Sequence, residues 1–396
     1  MNPPTQPTET HPTEGRMALP FDTIPSPCVQ NHAANLMPLG DGSLGCVWFG
    51  GTQEGMGDIS VYFSRLPAAD QPWEAAVKLS DDPSRSEQNP ILFSVPGGAL
   101  WLIWTAQLSG NQDTAFVRRR ISHDHGRSWG PIEPLFEQQP GRGLFVRQPP
   151  LFLAGGDWLL PVFHCPTVAG QKWSGERDTS GVRISSDQGR SWREVEVPDS
   201  VGCVHMGIVE LDGGRLLALY RSRWADHIHQ SHSDDGGHSW SAPQPTALPN
   251  NNSSIQVTRL HNGHLALVYN HSSAEDATQR RLSLYDEIED EAPLPQAGQA
   301  LAATPGGRAA FWGAPRAPMS IAISVDQGAS WRWRHIETGD GHCMSNNSRD
   351  RSNRELSYPS VKQTADGRIH VAYTHFRQNI RHVCLDEAWV LAGEPS

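Results

Sequence analysis

Ser122-His123-Asp124-His125-Gly126-Arg127-Ser128-Trp129 is one of four copies of a phrase of the form Ser-x-Asp-x-Gly-x-x-Trp. The others are Ser185-Asp187-Gly189-Trp192, Ser233-Asp235-Gly237-Trp240 and Ser324-Asp326-Gly328-Trp331. Each follows a β-rich run, such as Phe116 to Ile121, so the phrase reads as a hairpin turn. In that turn Ser and Asp would hydrogen-bond backbone amides, Gly would take the φ > 0 position, and Trp would anchor the returning strand. One copy is what any tight turn wants. Four copies mark a repeated β-unit, and such repeats mean a propeller or solenoid.

A second repeat sits inside the first. Gly-containing turns between apolar runs occur at Asp41-Gly42, Gly97-Gly98, Gly155-Gly156, Gly213-Gly214, Asn262-Gly263 and Asp366-Gly367. They recur roughly every 50 to 60 residues, except across the last step, where a polar Pro/Gly/Ala-rich insertion at about 272–313 intervenes. Six turns predict an all-β, six-bladed β-propeller over residues 21–396, behind a polar N-terminal tail, residues 1–20. The phrase follows turns two to five. A decayed version lies between Ser64 and Trp73, and the sixth unit, which lacks it, would be completed by strands from both chain ends.

Composition narrows the function classes. The formal charge of −11, from 43 acidic against 32 basic residues, argues against nucleic acid or an anionic membrane as partner, since either needs a cationic face. Six scattered cysteines without a CxxC pair read as buried free thiols. The tail has no apolar core of a signal peptide, and no run approaches the roughly 20 apolar residues of a membrane span. The expectation is a cytoplasmic protein with a small soluble ligand. His227-x-His229 and His123-x-His125 offer two ligands each rather than a set of three or four, so neither a metal nor another cofactor is expected.

Aligning the six units on their turn glycine places His32, Asn89, Arg147-Gln148, His205, Ser254 and Tyr358 where each first strand begins. Phe49, Thr105, Phe163, Arg221, Asn270 and Tyr373-Thr374 fall where each second strand ends. The start of one strand and the end of the next share an edge of a hairpin, and first strands line a propeller axis. These residues therefore ring the mouth of one funnel, at positions that would ordinarily be apolar.

The phrase and the unit count resemble the Asp-box repeats of the sialidase superfamily, a six-bladed β-propeller family. The segment from about Pro25 to Val390 is similar to its bacterial BNR-repeat members, including Phe49-Gly50-Gly51-Thr52-Gln53-Glu54-Gly55, Asn89-Pro90-Ile91-Leu92-Phe93 and Ser357-Tyr358-Pro359-Ser360. Asp boxes sit on turns remote from the pocket, so the site must be carried over residue by residue. The resemblance implies three arginines for a substrate carboxylate, a tyrosine nucleophile activated by a glutamate, and an aspartic acid that protonates the leaving group. Tyr358 matches the nucleophile, and Arg221 and Arg316 match the second and third arginines. His32 stands where the first arginine would lie, His205 where the glutamate would lie, and Glu54 and Asp58 stand near the acid.

The expected catalytic set is thus Tyr358, His205, Glu54 and Asp58. The expected substrate-binding set is His32, Asn89, Arg147, Arg221, Arg316, Asn270, Tyr373 and Arg377. Two arginine forks still match a carboxylate. The leading expectation is a hydrolase for a glycoside of an acidic sugar, a uronic or nonulosonic acid, with a small acidic oligosaccharide as substrate. The alternatives are β-elimination of a uronide, with His205 or His32 taking the α-proton and Tyr358 protonating the leaving oxygen, and a non-catalytic glycan- or protein-binding propeller. The run Asn346 to Arg354 reads either as a solvated loop or as a lid carrying Arg349, Arg351 or Arg354 over an anion. The 272–313 insertion would form a second wall of the funnel.

Overall fold

The computed structural model describes residues 19–167, 173–281, 283–284 and 307–395. Most of the predicted tail and the middle of the predicted insertion lie outside these residues. Six antiparallel sheets follow one another along the chain. The first strand of each, nearest the axis, is Gln30–Pro38 in blade 1, Arg85–Ser94 in blade 2, Cys203–Glu210 in blade 4, Gln256–Arg259 in blade 5 and Leu356–Gln363 in blade 6. In blade 3 it is split into Arg142–Phe145 and Leu151–Phe152. Phe21–Ile24 from the N-terminal end completes blade 6 against Asn379–Leu385, and Glu394–Pro395 adds to blade 5 against Arg332–Glu337.

Hydrophobic burial closes the ring. Each neighbouring pair of blades shares one apolar cluster, and the cluster between blades 6 and 1 joins Ile24, Ala372 and Ile380 to Leu36, Trp48 and Trp73. Alternating strand residues supply both faces of every blade, so each sheet is buried on two sides.

The four phrases are hairpin turns of one geometry. In the first, Gly126 N donates to Ser122 Oγ at 2.8 Å and Ser128 N to Asp124 Oδ1 at 2.8 Å; the other three repeat these bonds within 0.1 Å. Gly237 is at φ +89°, and a Cβ there would stand 2.5 Å from Leu159 of the preceding blade, so the turn needs glycine for conformation and for close approach. Trp240 and Trp331 are buried as anchors. Trp73 is buried likewise in blade 1, where Ser64 Oγ donates to Glu74 O at 2.7 Å in place of the lost turn.

Polar side chains plug the axis below the mouth. Gln148 Nε2 donates to Ile255 O at 2.5 Å, Gln256 Nε2 to Gln148 Oε1 at 3.2 Å, and Ser360 Oγ to Gln256 Oε1 at 2.7 Å. Blades 3, 5 and 6 are thereby tied together, and the funnel ends in a floor of satisfied amides. All six cysteines are free thiols, four of them buried. No helix among the described residues is long and apolar enough to cross a membrane.

Candidate active site

The inner strands do not run straight into the mouth. Register shifts interrupt them between His32 and Asn35, Gln88 and Ile91, Val204 and Gly207, and Ser357 and Ser360. Each shift holds a non-glycine residue in the left-handed region: Ala33, Asn89, His205 and Tyr358, at φ +61°, +52°, +55° and +50°. A bulge re-aims its side chain, and such backbone costs of order 1–3 kcal/mol per residue, so it persists only where the surroundings enforce it. Two of the four strained positions are His205 and Tyr358, both predicted catalytic residues.

Tyr358 stands at the centre of a cationic cage. The guanidinium carbons of Arg147, Arg221 and Arg316 lie 5.4, 5.6 and 5.7 Å from its ring centre. Arg221 Nη1 donates to its hydroxyl at 2.7 Å, and the rings of His32 and His205 flank it at 4.2 and 5.7 Å. Glu355 completes the cage. Its carboxylate accepts from Arg316 Nη1 at 2.5 Å and from Arg377 Nε, while Arg377 Nη1 reaches Glu54 Oε2 at 2.6 Å and Nη2 lies 3.3 Å from His32 Nε2.

Arg377 thus supplies a third guanidinium beside His32, from a different part of the chain than the sequence resemblance implied. It reaches there from a tight turn, His375 to Gln378, whose central residues Phe376 and Arg377 are both left-handed, at φ +56° and +54°. Left-handed turn positions ordinarily take Gly or Asn. The departure from that preference aims Arg377 at the axis.

Four guanidinium groups face two carboxylates here, and all six side chains are nearly closed to solvent. The cage therefore carries two excess positive charges. Burial lowers the Arg147 and Arg221 pKa values to about 10 and about 9, which leaves both charged at neutral pH. Arg147 Nη1 and Arg221 Nη2 are buried and have no hydrogen-bond partner among the described residues. An unpaired buried donor costs roughly 1–3 kcal/mol, more when charged, so the site favours an anion.

Burial first, and then the surrounding arginines, push His32 and His205 well below the ordinary value of 6.5. Both are neutral in the folded protein and become protonated on unfolding at acidic pH. Their contribution to stability is therefore present above about pH 6.5 and lost as pH falls below it. Each proton excluded from the folded state should remove about 1.4 kcal/mol per pH unit. Urea midpoints between pH 7 and 5 should fall accordingly, and His205→Gln should flatten the slope by about one proton; an unchanged slope would place a charged His205 in the cage.

The structure brings together Tyr358, His205, His32, Glu54, Arg147, Arg221, Arg316 and Arg377. Arg147 is committed to the floor, with Nη2 donating to the carbonyls of Ala34, Tyr358 and Pro359 at 3.1 to 3.2 Å and Nε to Ser254 Oγ at 3.2 Å. Asn89 holds the blade 2 bulge, and the cage contacts above do not include it.

Three expectations are corrected. Asp58 is exposed, and its carboxylate closes its own loop on Thr52 N and Oγ1, each at 2.9 Å, so it does not serve the pocket. Asn270 gives its amide to the carbonyls of Leu356 and Pro318, at 2.7 and 3.3 Å, and acts as a clamp beneath the strand that carries Tyr358. Tyr373 faces away from the axis, with its hydroxyl on Glu337; its neighbour Thr374 faces inward, 2.8 Å from His32 Nδ1, because successive strand residues point to opposite faces.

His205 was expected to act directly on Tyr358. Instead Arg221 Nη1 stands between them, 3.5 Å from His205 Nε2, while Nδ1 lies 3.0 Å from Ser254 Oγ. Arg349, Arg351 and Arg354 are exposed, and Arg354 pairs with Asp340 at 2.8 Å, which fits the solvated loop rather than the lid. The described end of the insertion does wall the site: Trp312 lies 5.8 Å from the Arg221 guanidinium carbon.

Sequence reasoning missed Glu355, Asn252 and Trp312. Asn252 accepts from Arg221 Nε at 2.8 Å and donates to Phe311 O at 2.9 Å, fixing the arginine to the insertion. A carboxylate three residues before Tyr358, at the opening of an inner strand, was the available signal for Glu355. Among the described residues no group of three His, Cys, Asp or Glu side chains is placed to hold a metal ion.

Comparison with known proteins agrees with this architecture. The model of the BNR repeat-like domain family matches residues 42–371. No curated protein matches the sequence. Among solved structures, a protein of unknown function from Dyadobacter fermentans superposes with a TM-score of 0.66 at 15% identity, over 92% of this chain and 97% of that one. A Hadza microbial sialidase gives 0.64 at 13% identity, over 92% and 67%. The intramolecular trans-sialidase from Ruminococcus gnavus, in complex with oseltamivir carboxylate, gives 0.62 at 11% identity, over 91% and 95%. At these identities the likeness carries the fold alone.

Proposed function

The chain belongs to the BNR repeat-like domain family, and on that premise we propose that it is a glycosidase for a carboxylate-bearing sugar, a uronic or nonulosonic acid. The observation that carries the reading is the tyrosine hydroxyl held at 2.7 Å by a buried arginine that keeps a second, unpartnered nitrogen beside it. Arg221, Arg316 and Arg377 hold the carboxylate, since planar forks match its two oxygens. Tyr358 then faces the anomeric carbon beside the bound acid, where a neutral phenol avoids the repulsion that a carboxylate nucleophile would meet.

In this reading the Tyr358 oxygen bonds to the anomeric carbon as the glycosidic C–O bond breaks. The leaving oxygen takes a proton relayed from solvent through Glu54, and water then cleaves the tyrosyl–sugar bond and restores the hydroxyl. The phenolic proton leaves to solvent as the new bond forms, and Arg221 Nη1, 2.7 Å from the phenolic oxygen, stabilises the negative charge that develops there.

A second reading, β-elimination, is favoured by one observation: in the cage as it stands both carboxylates are ion-paired and the two histidines flanking Tyr358 are neutral. The deciding experiment incubates the purified protein with sialyl- and uronyl-oligosaccharides, reading reducing ends and ultraviolet absorbance in parallel. A saturated reducing sugar is expected. An unsaturated, absorbing product selects elimination, and silence on both channels for every acidic substrate overturns the enzyme reading in favour of a binding propeller.

A further inference from the structure

His32 and His205 flank Tyr358, and their ring nitrogens are engaged in the same way. His205 Nδ1 lies 3.0 Å from Ser254 Oγ, and its Nε2 lies 3.5 Å from Arg221 Nη1. His32 Nδ1 lies 2.8 Å from Thr374 Oγ1, and its Nε2 lies 3.3 Å from Arg377 Nη2. Each histidine thus reaches from a hydroxyl to an arginine, and all of these side chains are buried.

The chemistry of the partners leaves one tautomer for each ring. Burial and the surrounding arginines keep both rings neutral at pH 7. A guanidinium has N–H donors and no acceptor, so Nε2 offers it a lone pair and the ring proton sits on Nδ1. The hydroxyls are placed to take that proton. Ser254 Oγ accepts from Arg147 Nε at 3.2 Å and donates to Ile255 O at 3.5 Å, which leaves its second lone pair for His205 Nδ1. Thr374 Oγ1 accepts from Ala33 N at 3.2 Å, which likewise leaves one lone pair for His32 Nδ1. Glu355 Oε1, 4.0 Å from the same nitrogen, also favours a proton there. In the other tautomer each Nε2–H would point at a guanidinium N–H, donor against donor.

We propose that Ser254 and Thr374 are positioning residues of the cage: each fixes its histidine as the Nδ1–H tautomer, and the histidine in turn aims a carboxylate-binding arginine. The inference rests on the sugar-acid reading for what Arg221 and Arg377 hold. Through His205, Ser254 fixes Arg221 Nη1 between the imidazole and the Tyr358 hydroxyl, which leaves Nη2 to the ligand. Through His32, Thr374 bears on Nη2 of Arg377, the nitrogen that meets neither Glu54 nor Glu355.

A carboxylate in place of either histidine would also accept from its arginine, but it would cancel one of the two excess positive charges that favour an anion. A neutral acceptor orients the arginine and leaves the charge. The arrangement bears on the reaction as well. A general base needs a free lone pair, and both Nε2 lone pairs are turned to arginines. Proton abstraction by either histidine has first to break one of these contacts.

Nitrogen NMR on protein carrying isotope-labelled histidine reads the tautomers without ligand or turnover, because protonated and unprotonated ring nitrogens resonate far apart. His32→Gln and His205→Gln assign the two rings. At pH 7 the Nδ1–H form alone is expected for both. Ser254→Ala should let His205 populate the Nε2–H form and leave His32 unchanged, and Thr374→Val should do the converse. Ser254→Thr and Thr374→Ser, which keep the hydroxyls, should keep the wild-type spectra. In calorimetry with glucuronate and N-acetylneuraminate, Ser254→Ala and Thr374→Val should each weaken binding on the order of tenfold, the loss of about one charge-assisted hydrogen bond to the acid. An Nε2–H or mixed tautomer at either wild-type ring, a tautomer that ignores the loss of its hydroxyl, or unchanged affinity in Ser254→Ala and Thr374→Val overturns the proposal and leaves the sugar-acid reading standing. The wild-type spectrum decides the tautomers even where a variant does not fold. The expected tautomers with no binding of either acid to the wild type would overturn the sugar-acid reading and leave the histidine arrangement standing.

Discussion

Tyr358→Phe is expected to lower turnover of a sugar-acid glycoside by about a thousandfold or more while leaving the affinity for the free sugar acid within a few-fold of the wild type. The substitution removes one oxygen and nothing else. The ring keeps its contacts with His32 and His205, and Arg147, Arg221 and Arg316 keep an aromatic face at 5.4 to 5.7 Å. Carboxylate binding depends on the arginines and should persist. Arg221 loses the acceptor of its 2.7 Å bond, so Nη1 keeps only its 3.5 Å contact with His205 Nε2 beside the unpartnered Nη2. That should cost about 1–2 kcal/mol of stability and should, if anything, favour an anion in the pocket. A nucleophile shows this separation of binding from turnover. Comparable turnover by Tyr358→Phe would remove the tyrosine from the chemistry, and a parallel loss of binding would make it a ligand contact.

Blade number, blade order and the mouth of the funnel were legible because they depend on patterns with a period. Ser-x-Asp-x-Gly-x-x-Trp repeats because the same turn geometry is needed four times, and the glycine turns repeat because each blade must reverse at the same radius. The ring residues His32, Arg147, His205 and Tyr358 were legible as polar side chains at strand positions that are usually apolar. The errors have different physical origins. Tyr373 and Thr374 are one residue apart on a strand, so an alignment uncertain by one residue cannot say which of them faces inward. Asp58 and Glu54 share a short loop, and which one enters the pocket depends on a turn that Asp58 itself closes. Asn270 looks like a ligand contact in sequence because an amide that clamps backbone and an amide that binds sugar have the same chemistry. Glu355 was overlooked because a carboxylate buried between two arginines reads, in sequence, like the solvated charges of Arg349 to Arg354 before it.

Of the residues that sequence reasoning missed, Glu355 has the largest expected effect on stability. Glu355→Ala is expected to destabilise the protein by about 3–5 kcal/mol, because it leaves two buried guanidinium groups without their shared counter-ion. Glu355 is fully buried, and the arginines hold its carboxyl below the usual carboxylate range against the opposing effect of burial. With the carboxylate gone, Arg316 and Arg377 face each other with Glu54 as the one carboxylate left to them in the cage. The turn at Phe376 and Arg377 should respond as well. Two consecutive left-handed residues with side chains cost about 1–2 kcal/mol each, and the ion pair at Arg377 Nε is one of the contacts that keep them there. Loss of that contact should let the turn relax, visible as faster amide exchange at Gln378, whose N–H donates to His375 O at 3.1 Å. A double-mutant cycle separates charge from packing. If Glu355 acts by pairing with Arg377, then Glu355→Ala combined with Arg377→Met should cost less than the sum of the two single changes, by about 1–3 kcal/mol. Additive losses would mean that the Glu355 side chain acts through Arg316 rather than through Arg377, and the strained turn would then need another cause.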